Sequence, residues 1–197
     1  MNKSKGTAVV TGASSGIGAI YADRMAKRGY NLLLVARDTE RMNKLAAKIT
    51  SETAVQVEVM KADLTDKKDL AKLEQRLKTD SNITALVNNA GVAAAGPVAS
   101  ADADKLETLI ELNITALTRL SVAVVPEFVK RKNGTIINIA SIVALNPELV
   151  GAAYSGSKAY VLNFTQALQN ELKDTAIRVQ AVLPGATSTE LWDRSGL

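Results

Sequence analysis

Tyr154 and Lys158 lie four residues apart in the sequence, and their side chains could act together in acid–base catalysis. They begin a segment with a helical pattern, and residues four apart lie on one face of a helix. A phenol with a pKa near ~10 is a weak catalyst at neutral pH unless a cation such as a lysine ammonium stabilises its phenolate. The pair predicts a general acid and base, with two solvated residues on a helix face as the alternative.

Composition limits the other chemistry available. The chain has 197 residues and contains neither cysteine nor histidine. Disulfides, thiolate zinc sites and thiol catalysis are excluded, and the commonest acid–base side chain and metal ligand is missing, so we expect no metal site. Proton transfer must fall to Tyr, Lys, Asp or Glu. The lack of cysteine fits a reducing compartment, and we expect a cytoplasmic protein.

Charge and hydropathy limit the classes of partner that this protein is expected to bind. The formal net charge is +4, with 24 basic residues interspersed among 20 acidic ones. This pattern argues against nucleic acid and favours a small anionic ligand such as a phosphorylated cofactor. The first six residues do not resemble a signal peptide, and asparagine, glycine and proline interrupt the long uncharged run 83–101. No membrane partner is expected.

Short β-branched runs alternate with helical patterns along the chain. The predicted strands cover residues 7–10, 32–36, 55–59, 85–87, 135–139 and 179–183. The predicted helices cover residues 17–28, 38–51, 66–79, 102–130 and 152–173, with N-caps at Asp38, Thr65 and Asp102. This alternation predicts an α/β fold, a Rossmann-like doubly wound parallel sheet, in a single domain over residues 1–197.

Two of the predicted strands indicate the strand order. Residues 32–36 form a continuous apolar run suited to burial on both faces, whereas residues 55–59 alternate as a less buried strand does. The third strand is therefore expected at an edge, as in the order 3-2-1-4-5-6.

A glycine-rich turn joins the first strand to the first helix. Gly12 permits the tight turn, Gly16 allows a close approach to an anion, and Gly18 allows the helix to pack on the strand. The spacing Gly-x-x-x-Gly-x-Gly, placed between strand and helix, predicts a pyrophosphate site at a helix N-terminus.

The residues at the end of the second strand should determine whether the site prefers NAD or NADP. Ala36 leaves no acid at the strand tip, and Arg37 can pair with a 2′-phosphate. We expect NADP, with Asp38 as a helix cap. In the less favoured interpretation Asp38 binds the NAD ribose and Arg37 is a solvated side chain.

Further motifs follow in order along the chain. Asn88-Asn89-Ala90-Gly91 follows the fourth strand, Ser141 ends the fifth, and Tyr154 and Lys158 come thirteen and seventeen residues later. With the glycine-rich turn, this set resembles the classical short-chain dehydrogenase/reductases over residues 7–190. The resemblance implies an NADP(H)-dependent oxidoreductase that transfers a hydride between a nicotinamide cofactor and a small carbonyl or alcohol substrate.

The resemblance also implies catalytic roles. Tyr154 would protonate the carbonyl oxygen during reduction and act as the base in reverse. Lys158 would lower the pKa of Tyr154 and bind the nicotinamide ribose, and Ser141 would donate a hydrogen bond to the substrate oxygen. Asn113 would hold a water in a proton relay, the alternative being a buried asparagine that satisfies backbone groups.

Cofactor contacts are implied beside the catalytic ones. Asp63 would contact the adenine, or it caps a turn. Pro184, Gly185 and Thr187 would reach the nicotinamide carboxamide. Asn88 would only stabilise the bend after its strand. The remaining residues expected to border the cofactor are Ser14, Ser15, Ile17, Leu64, Asn89, Ala90 and Gly91.

The sequence gives less information about the part of the site that would bind the substrate. By analogy, small and mostly apolar residues should line it, which favours a neutral or hydrophobic carbonyl or alcohol. These residues are Ala93, Ala94, Val143, Leu145 and Asn146. Family members usually continue further, so we expect the usual C-terminal substrate lid and seventh strand to be lacking here.

Two expectations concern assembly and the alternative function. Residues 102–130 are apolar around much of the helix, and the resemblance implies a homodimer or homotetramer through this helix and the one carrying Tyr154. A non-catalytic NADP(H)-sensing regulator is the alternative function. It is disfavoured because a sensor needs no Ser141, Tyr154 and Lys158.

Overall fold

The computed structural model describes residues 5–94 and 96–185, and all six of its strands pair in parallel. The strands are β1 Thr7–Thr11, β2 Asn31–Ala36, β3 Val57–Lys61, β4 Ile83–Asn88, β5 Gly134–Ile139 and β6 Ile177–Val182. They form one sheet in the order β3-β2-β1-β4-β5-β6. The predicted fold class and strand order are confirmed.

Strand β3 lies beyond β2, at the edge of the sheet, as its alternating sequence predicts. The middle of β2 is fully buried, whereas β3 is only half-buried. The strand begins at Val57, two residues later than predicted, because Val55 and Val57 continue one alternating pattern with no visible start. The pairing of β2 with β3 begins with Leu32 and Val57. The N–H of Gln56, the residue before β3, donates to the Asn31 side chain at 3.0 Å.

The helices follow the predicted alternation. They are α1 Gly16–Lys27, α2 Thr39–Glu52, α3 Lys67–Thr79, α4 Ala103–Ile110, α5 Leu117–Arg131 and α6 Ala152–Glu171. Asp38 and Asp102 cap α2 and α4 as predicted: Asp38 accepts one backbone N–H of the first turn, and Asp102 accepts two. Thr65 is wrong as the cap of α3, because its hydroxyl donates to Asp63 and the next residue, Asp66, accepts the first-turn N–H groups.

The long helix predicted over residues 102–130 is not uniform. A π-helical segment, Glu111–Ala116, joins α4 to α5 and contains the buried Asn113. The stretch Ala103–Arg131 is long enough to cross a membrane, and an 18-residue window within it has a mean hydropathy of 1.4. Core helices of soluble proteins share that composition, and this one buries Leu120 and Val124 completely against the sheet.

Apolar layers cover both faces of the sheet. One layer packs α3, α5 and α6 on the strands through residues such as Leu73, Leu120 and Phe128. The other packs α1 and α2 through Ala22 and Met42. Since every strand is parallel, the loops that leave the carboxyl ends of the strands gather at one edge, where ligands bind in such folds.

Two glycines test whether local packing controls stability. Gly156 lies on the exposed side of α6 with nothing near its missing Cβ, so Gly156→Ala should raise the free energy of unfolding by ~0.5–1 kcal/mol through helix propensity. A Cβ at Gly134 would collide with the Phe128 ring, so Gly134→Ala should lower it by ~1–3 kcal/mol. Urea unfolding followed by circular dichroism measures both. A destabilised Gly156→Ala variant would contradict the exposed position.

Candidate active site

A cavity of about 440 Å³ opens at the carboxyl edge of the sheet. Its wall contains most of the residues that the sequence singles out. They are Gly12, Ser14, Ser15, Gly16, Ile17, Arg37, Asp63, Leu64, Asn89, Ala90, Gly91, Ser141, Tyr154, Lys158, Pro184 and Gly185. Gly18 and Asn113 lie behind the wall, and Thr187 falls outside the described residues.

The turn between β1 and α1 requires glycine for steric reasons. Gly12 and Gly16 have φ angles of 64° and 53°, which disfavour a side chain. A Cβ on Gly12 would lie 2.7 Å from Asn89 Nδ2, and one on Gly18 would collide with the Gly12 carbonyl. Gly18 therefore serves helix packing, as predicted, and does not contact the cavity.

The first turn of α1 is open to an anion. Ser15 is its N-cap residue, yet the Ser15 side chain makes no capping hydrogen bond, and the first turn carries no acidic residue. The N–H groups of a first helical turn have no partner within the helix and carry a partial positive charge. Together with the glycine cradle, these residues fit the pyrophosphate of a dinucleotide.

Thr11 organises this end of the site, although sequence reasoning did not single it out. Its buried hydroxyl donates to Val87 O at 3.2 Å and accepts the N–H groups of Asn89 and Ala90, each at 3.0 Å. Asn89 Nδ2 returns hydrogen bonds to Thr11 O at 3.0 Å and Gly12 O at 3.1 Å. The position of this threonine at the end of β1, a strand predicted to neighbour β4, could have indicated this role.

The ribose end of the cavity carries the predicted arginine. The Arg37 side chain is 67% exposed and its Nη1 lies 3.6 Å from Asp63 Oδ2. Asp38 accepts the Arg41 N–H at 3.0 Å, which is the cap role favoured for it. Burial acts to raise the pKa of Asp63, but hydrogen bonds from Thr65 and the charge of Arg37 outweigh it, so the pKa is lowered.

Asp63 also makes the turn predicted as its alternative role. Its Oδ1 accepts from the Thr65 N–H at 3.0 Å and from the Thr65 hydroxyl at 2.7 Å. The same residue lines the cavity, so the structure gives it a turn-forming role and places it beside a ligand.

Tyr154, Ser141 and Lys158 meet at the other end of the cavity. All three are buried, and the Ser141 side chain is close enough to Tyr154 to influence the pKa of the phenol. Lys158 Nζ donates to Ile139 O at 2.9 Å and lies 5.7 Å from the centre of the Tyr154 ring. Residues from β5, the turn after it and α6 therefore form one acid–base group.

Burial dominates the electrostatics here. It raises the pKa of Tyr154 above its usual 10.0, and the nearby Ser141 side chain opposes it only in part. Burial also lowers the pKa of Lys158 to about 8, because the ammonium is removed from water. The lowering of the Tyr154 pKa expected from Lys158 is not present in this geometry, where the ammonium donates to a backbone carbonyl.

Asn113 supports the wall from behind. Its Oδ1 accepts the Val92 N–H at 2.9 Å, and its Nδ2 donates to Val92 O at 2.9 Å and Ser157 Oγ at 3.0 Å. These bonds satisfy backbone groups, the structural role given above as its alternative. A Cβ on Gly91 would lie 3.0 Å from Asn113 Oδ1, so this part of the wall has no space for a side chain at Gly91.

The predicted substrate-end residues divide into three groups. Ala93 lines the cavity, and Val143 packs directly against Tyr154 in a small apolar cluster with Ala94. Leu145 and Asn146 are exposed and lie outside the cavity wall. Sequence reasoning missed several cavity-wall residues that have apolar side chains. Only their positions near the ends of predicted strands could have indicated that they line the cavity. They are Val35, Ala62, Val92, Leu112, Ile139 and Ala140.

Comparison with known proteins identifies the family. The family model described as short chain dehydrogenase matches residues 6–196. This chain belongs to the short-chain dehydrogenase family. Within it, an uncharacterized oxidoreductase of Staphylococcus saprophyticus is 37% identical over 185 residues, which cover 93% of this chain and 79% of that protein.

Two solved dehydrogenase structures superpose closely on this chain. One, from Sphingobium yanoikuyae in complex with NADPH, is 50% identical with a TM-score of 0.95, covering 98% of this chain and 75% of that one. The other, a bulky-bulky ketone specific alcohol dehydrogenase from Comamonas testosteroni, is 48% identical with a TM-score of 0.92, covering 94% and 75%. The chain is an oxidoreductase with a nicotinamide dinucleotide site.

Lys158 should cost this dehydrogenase stability at neutral pH. Its pKa is about 8 when folded against 10.5 in the reference state, so the unfolded chain binds the proton more tightly and wild-type stability rises between these pH values. We expect Lys158→Met to raise the free energy of unfolding by ~1–3 kcal/mol near pH 7, and by less near pH 10.

Differential scanning calorimetry at both pH values measures the effect. Lys130→Met, an exposed substitution on α5, is the control and should show no comparable dependence on pH. A Lys158→Met gain that grows with pH would contradict a buried ammonium.

Proposed function

We propose that this chain is an NADP(H)-dependent reductase that interconverts a neutral or hydrophobic carbonyl compound and its alcohol. The observation that carries the proposal is one continuous cavity with a glycine cradle and Arg37 at one end and Ser141, Tyr154 and Lys158 at the other. An anion site and an acid–base group at opposite ends of a cavity suit a dinucleotide whose reactive ring meets the substrate beside Tyr154.

The protein's part in the reaction follows from these side chains. A nicotinamide dinucleotide, when bound, supplies the hydride during reduction and accepts it during oxidation. Ser141 donates a hydrogen bond to the substrate oxygen and stabilises the negative charge that develops there. Tyr154 gives its proton to that oxygen. The Lys158 ammonium, held by the Ile139 carbonyl, would bind the nicotinamide ribose.

The raised pKa of Tyr154 favours the reductive direction. A hydroxyl whose pKa lies above 10.0 keeps its proton throughout the neutral range, so it is ready to act as an acid. Oxidation needs the phenolate, and its rate should therefore rise with pH. The water-holding role of Asn113 stays a prediction, since its side chain is engaged with Val92 and Ser157.

The preference for NADP rests on the charges at the ribose end. Arg37 presents an exposed guanidinium at the cavity, while the nearest acid in sequence, Asp38, is occupied as a helix cap. A guanidinium can bind a phosphate through two parallel hydrogen bonds. The Sphingobium yanoikuyae enzyme, solved with NADPH, supports this choice.

The substrate class rests on the surroundings of Tyr154. This side chain packs among Leu109, Val143 and Val150, none of which could bind a carboxylate or an amine. An apolar ketone or aldehyde fits such walls best. The ketone specificity in the name of the Comamonas testosteroni enzyme supports the same class.

We also propose a cytoplasmic homo-oligomer, as expected from the sequence. Much of the helical stretch Ala103–Arg131 is buried on the sheet, but Val122 remains 64% exposed and Ile110 46%. Exposed apolar side chains on one helix are suited to a contact with a second copy.

Removal of the Tyr154 hydroxyl tests the reaction. Tyr154→Phe should lower kcat for NADPH-dependent ketone reduction by ~10²–10⁴-fold, because the proton donor is lost, while NADPH still binds. The oxidation of NADPH, followed by absorbance with a panel of ketones and aldehydes, measures turnover, and calorimetric titration measures binding. If the wild type binds NADPH but reduces no carbonyl compound, the non-catalytic sensor becomes the better interpretation.

Replacement of Arg37 tests the cofactor preference. Arg37→Gln should lower kcat/KM for NADPH by ~10–100-fold, since a charge-assisted hydrogen bond contributes ~1.5–3 kcal/mol, and should leave NADH almost unaffected. Arg24→Gln is the matched control, an exposed arginine on α1 outside the cavity wall. An equal loss with both cofactors would contradict binding of the 2′-phosphate.

A further inference from the structure

Four polar side chains lie in the core behind the active site. Asn88, Ser121, Asn138 and Thr165 are between 0% and 4% exposed. They come from β4, α5, β5 and α6 in that order, and Asn88 is paired with Asn138 in the sheet register. We call this group the buried polar ladder. Polar groups removed from water need partners, so their hydrogen bonds specify one arrangement of these four elements.

The ladder is a chain of directional hydrogen bonds. Asn88 Nδ2 donates to Ser121 Oγ at 3.2 Å and to Asn138 Oδ1 at 2.9 Å. Asn138 Nδ2 donates to Thr165 Oγ1 at 3.0 Å, and Thr165 Oγ1 donates to Val161 O at 2.6 Å. The Asn138 amide thus has both its oxygen and its nitrogen satisfied, and its bond to Thr165 crosses from the sheet to α6.

The ladder lies directly next to the acid–base group. Asn138 precedes Ile139, whose carbonyl accepts the Lys158 ammonium at 2.9 Å. Thr165 follows Lys158 by seven residues on α6, which is about two helical turns and the same helix face. Among the residues that the structure describes, these two side-chain hydrogen bonds join α6 to β5.

We propose that Asn138 and Thr165 are positioning residues that set the register of α6 along β5 and thereby place Lys158 and Tyr154 beside Ser141. The inference rests on the proposed function for its catalytic meaning. Neither residue lines the cavity, so neither touches a ligand there. Both act through the backbone and the helix that carry the reacting groups.

Other contacts of α6 are less selective for its position. Val161 and Leu162 pack in a cluster with Ala140, which follows β5, and with Ala181 of β6, but apolar contacts are non-directional and tolerate small displacements of the helix. Gly151, the N-cap residue of α6, provides no side-chain cap. Ser155 bonds Pro147 and Val150, which belong to the loop that leads into the helix and can move with it. A hydrogen bond, in contrast, weakens steeply when its geometry changes.

Other directional bonds could share the positioning role, among them the bond from Gln169 Nε2 of α6 to Val179 O of β6 at 2.9 Å. Ser157 accepts from Asn113 Nδ2 at 3.0 Å and so joins α6 to the π-helical segment. That bond crosses to the neighbouring helix rather than to the strand that supplies Ile139 O. It can hold α6 sideways while the ladder and Lys158 control its position along β5.

Thr165→Val tests the proposal, because valine has nearly the same shape but no hydroxyl. We expect crystal structures to show the Lys158 Nζ to Ile139 O distance increased beyond roughly 3.5 Å, the upper limit of a hydrogen bond. We expect kcat for ketone reduction to fall by about tenfold, since displacements of about 1 Å can cost up to ~10²-fold. NADPH affinity should fall by less than kcat does, because the pyrophosphate cradle on β1 and α1 is untouched and only the contact of Lys158 with the cofactor changes.

Two matched variants separate positioning from general destabilisation. Thr165→Ser restores the hydroxyl and should restore both the distance and kcat. Leu168→Ala removes buried apolar contacts from the next turn of α6, so it should lower the Tm while kcat and the pH–rate profile stay at wild-type values. The alkaline limb of the pH–rate profile should shift only in Thr165→Val, because only there does the ammonium change its surroundings.

The outcomes divide clearly. A Thr165→Val structure with an unchanged Lys158 to Ile139 distance overturns the proposal, and so does a fall in kcat that Leu168→Ala reproduces at equal Tm. A wild type that reduces no carbonyl compound overturns the proposed function instead. In that case the crystallographic distance still decides whether the ladder positions Lys158.

Discussion

The hydrogen bond from the Lys158 ammonium to the Ile139 carbonyl joins α6 to the sheet. It places a cation in the core, where desolvation lowers the pKa of Lys158 to about 8. Burial of a charge opposes folding, and here the partner is a backbone carbonyl instead of a carboxylate. The surrounding structure must therefore hold the ammonium in place. That requirement connects the end of β5, the first turns of α6 and the position of Tyr154.

The dinucleotide end of the site depends on steric constraints. Thr11 and Asn89 bind the ends of β1 and β4 to each other through side chain to backbone hydrogen bonds. Their closeness leaves no space for a Cβ on Gly12 or Gly18. The result is a backbone cradle whose donors face the cavity without a competing side chain. One end of the cavity is thus defined by close packing, and the other by a buried charge and its hydrogen bonds.

Polar groups in the core connect these two ends. Asn113 lies in the π-helical segment and holds the Val92 backbone, while Asn138 and Thr165 link β5 to α6. An apolar core could supply similar stability, but it would not specify the position of a helix to within a hydrogen-bond length. Directional interactions in this part of the core lie where α6 meets β5 and where the π-helical segment meets the Val92 backbone.

The sequence alone determined the fold class, the strand order and the glycine-rich turn. These features are encoded locally, in β-branched runs and in glycines required by a tight turn, so periodicity and spacing were sufficient for them. Most of the other polar residues around the cavity were assigned through the family resemblance, and the apolar wall residues were missed. Because the strands are parallel, the motifs that follow their carboxyl ends all lie at the same edge of the sheet. The edge position of β3 was predictable for the same reason, since burial is visible in the apolar pattern.

The tertiary structure decided what depends on contacts between distant residues. It moved the cap of α3 from Thr65 to Asp66 because Asp63 binds the threonine hydroxyl, and it made Thr11 the partner of a loop 78 residues away. It also set the direction of the Tyr154 pKa, which follows from burial and from Ser141. The burial of individual polar side chains and their hydrogen-bond partners across the chain arise only when the elements pack, and no local pattern of residues records them.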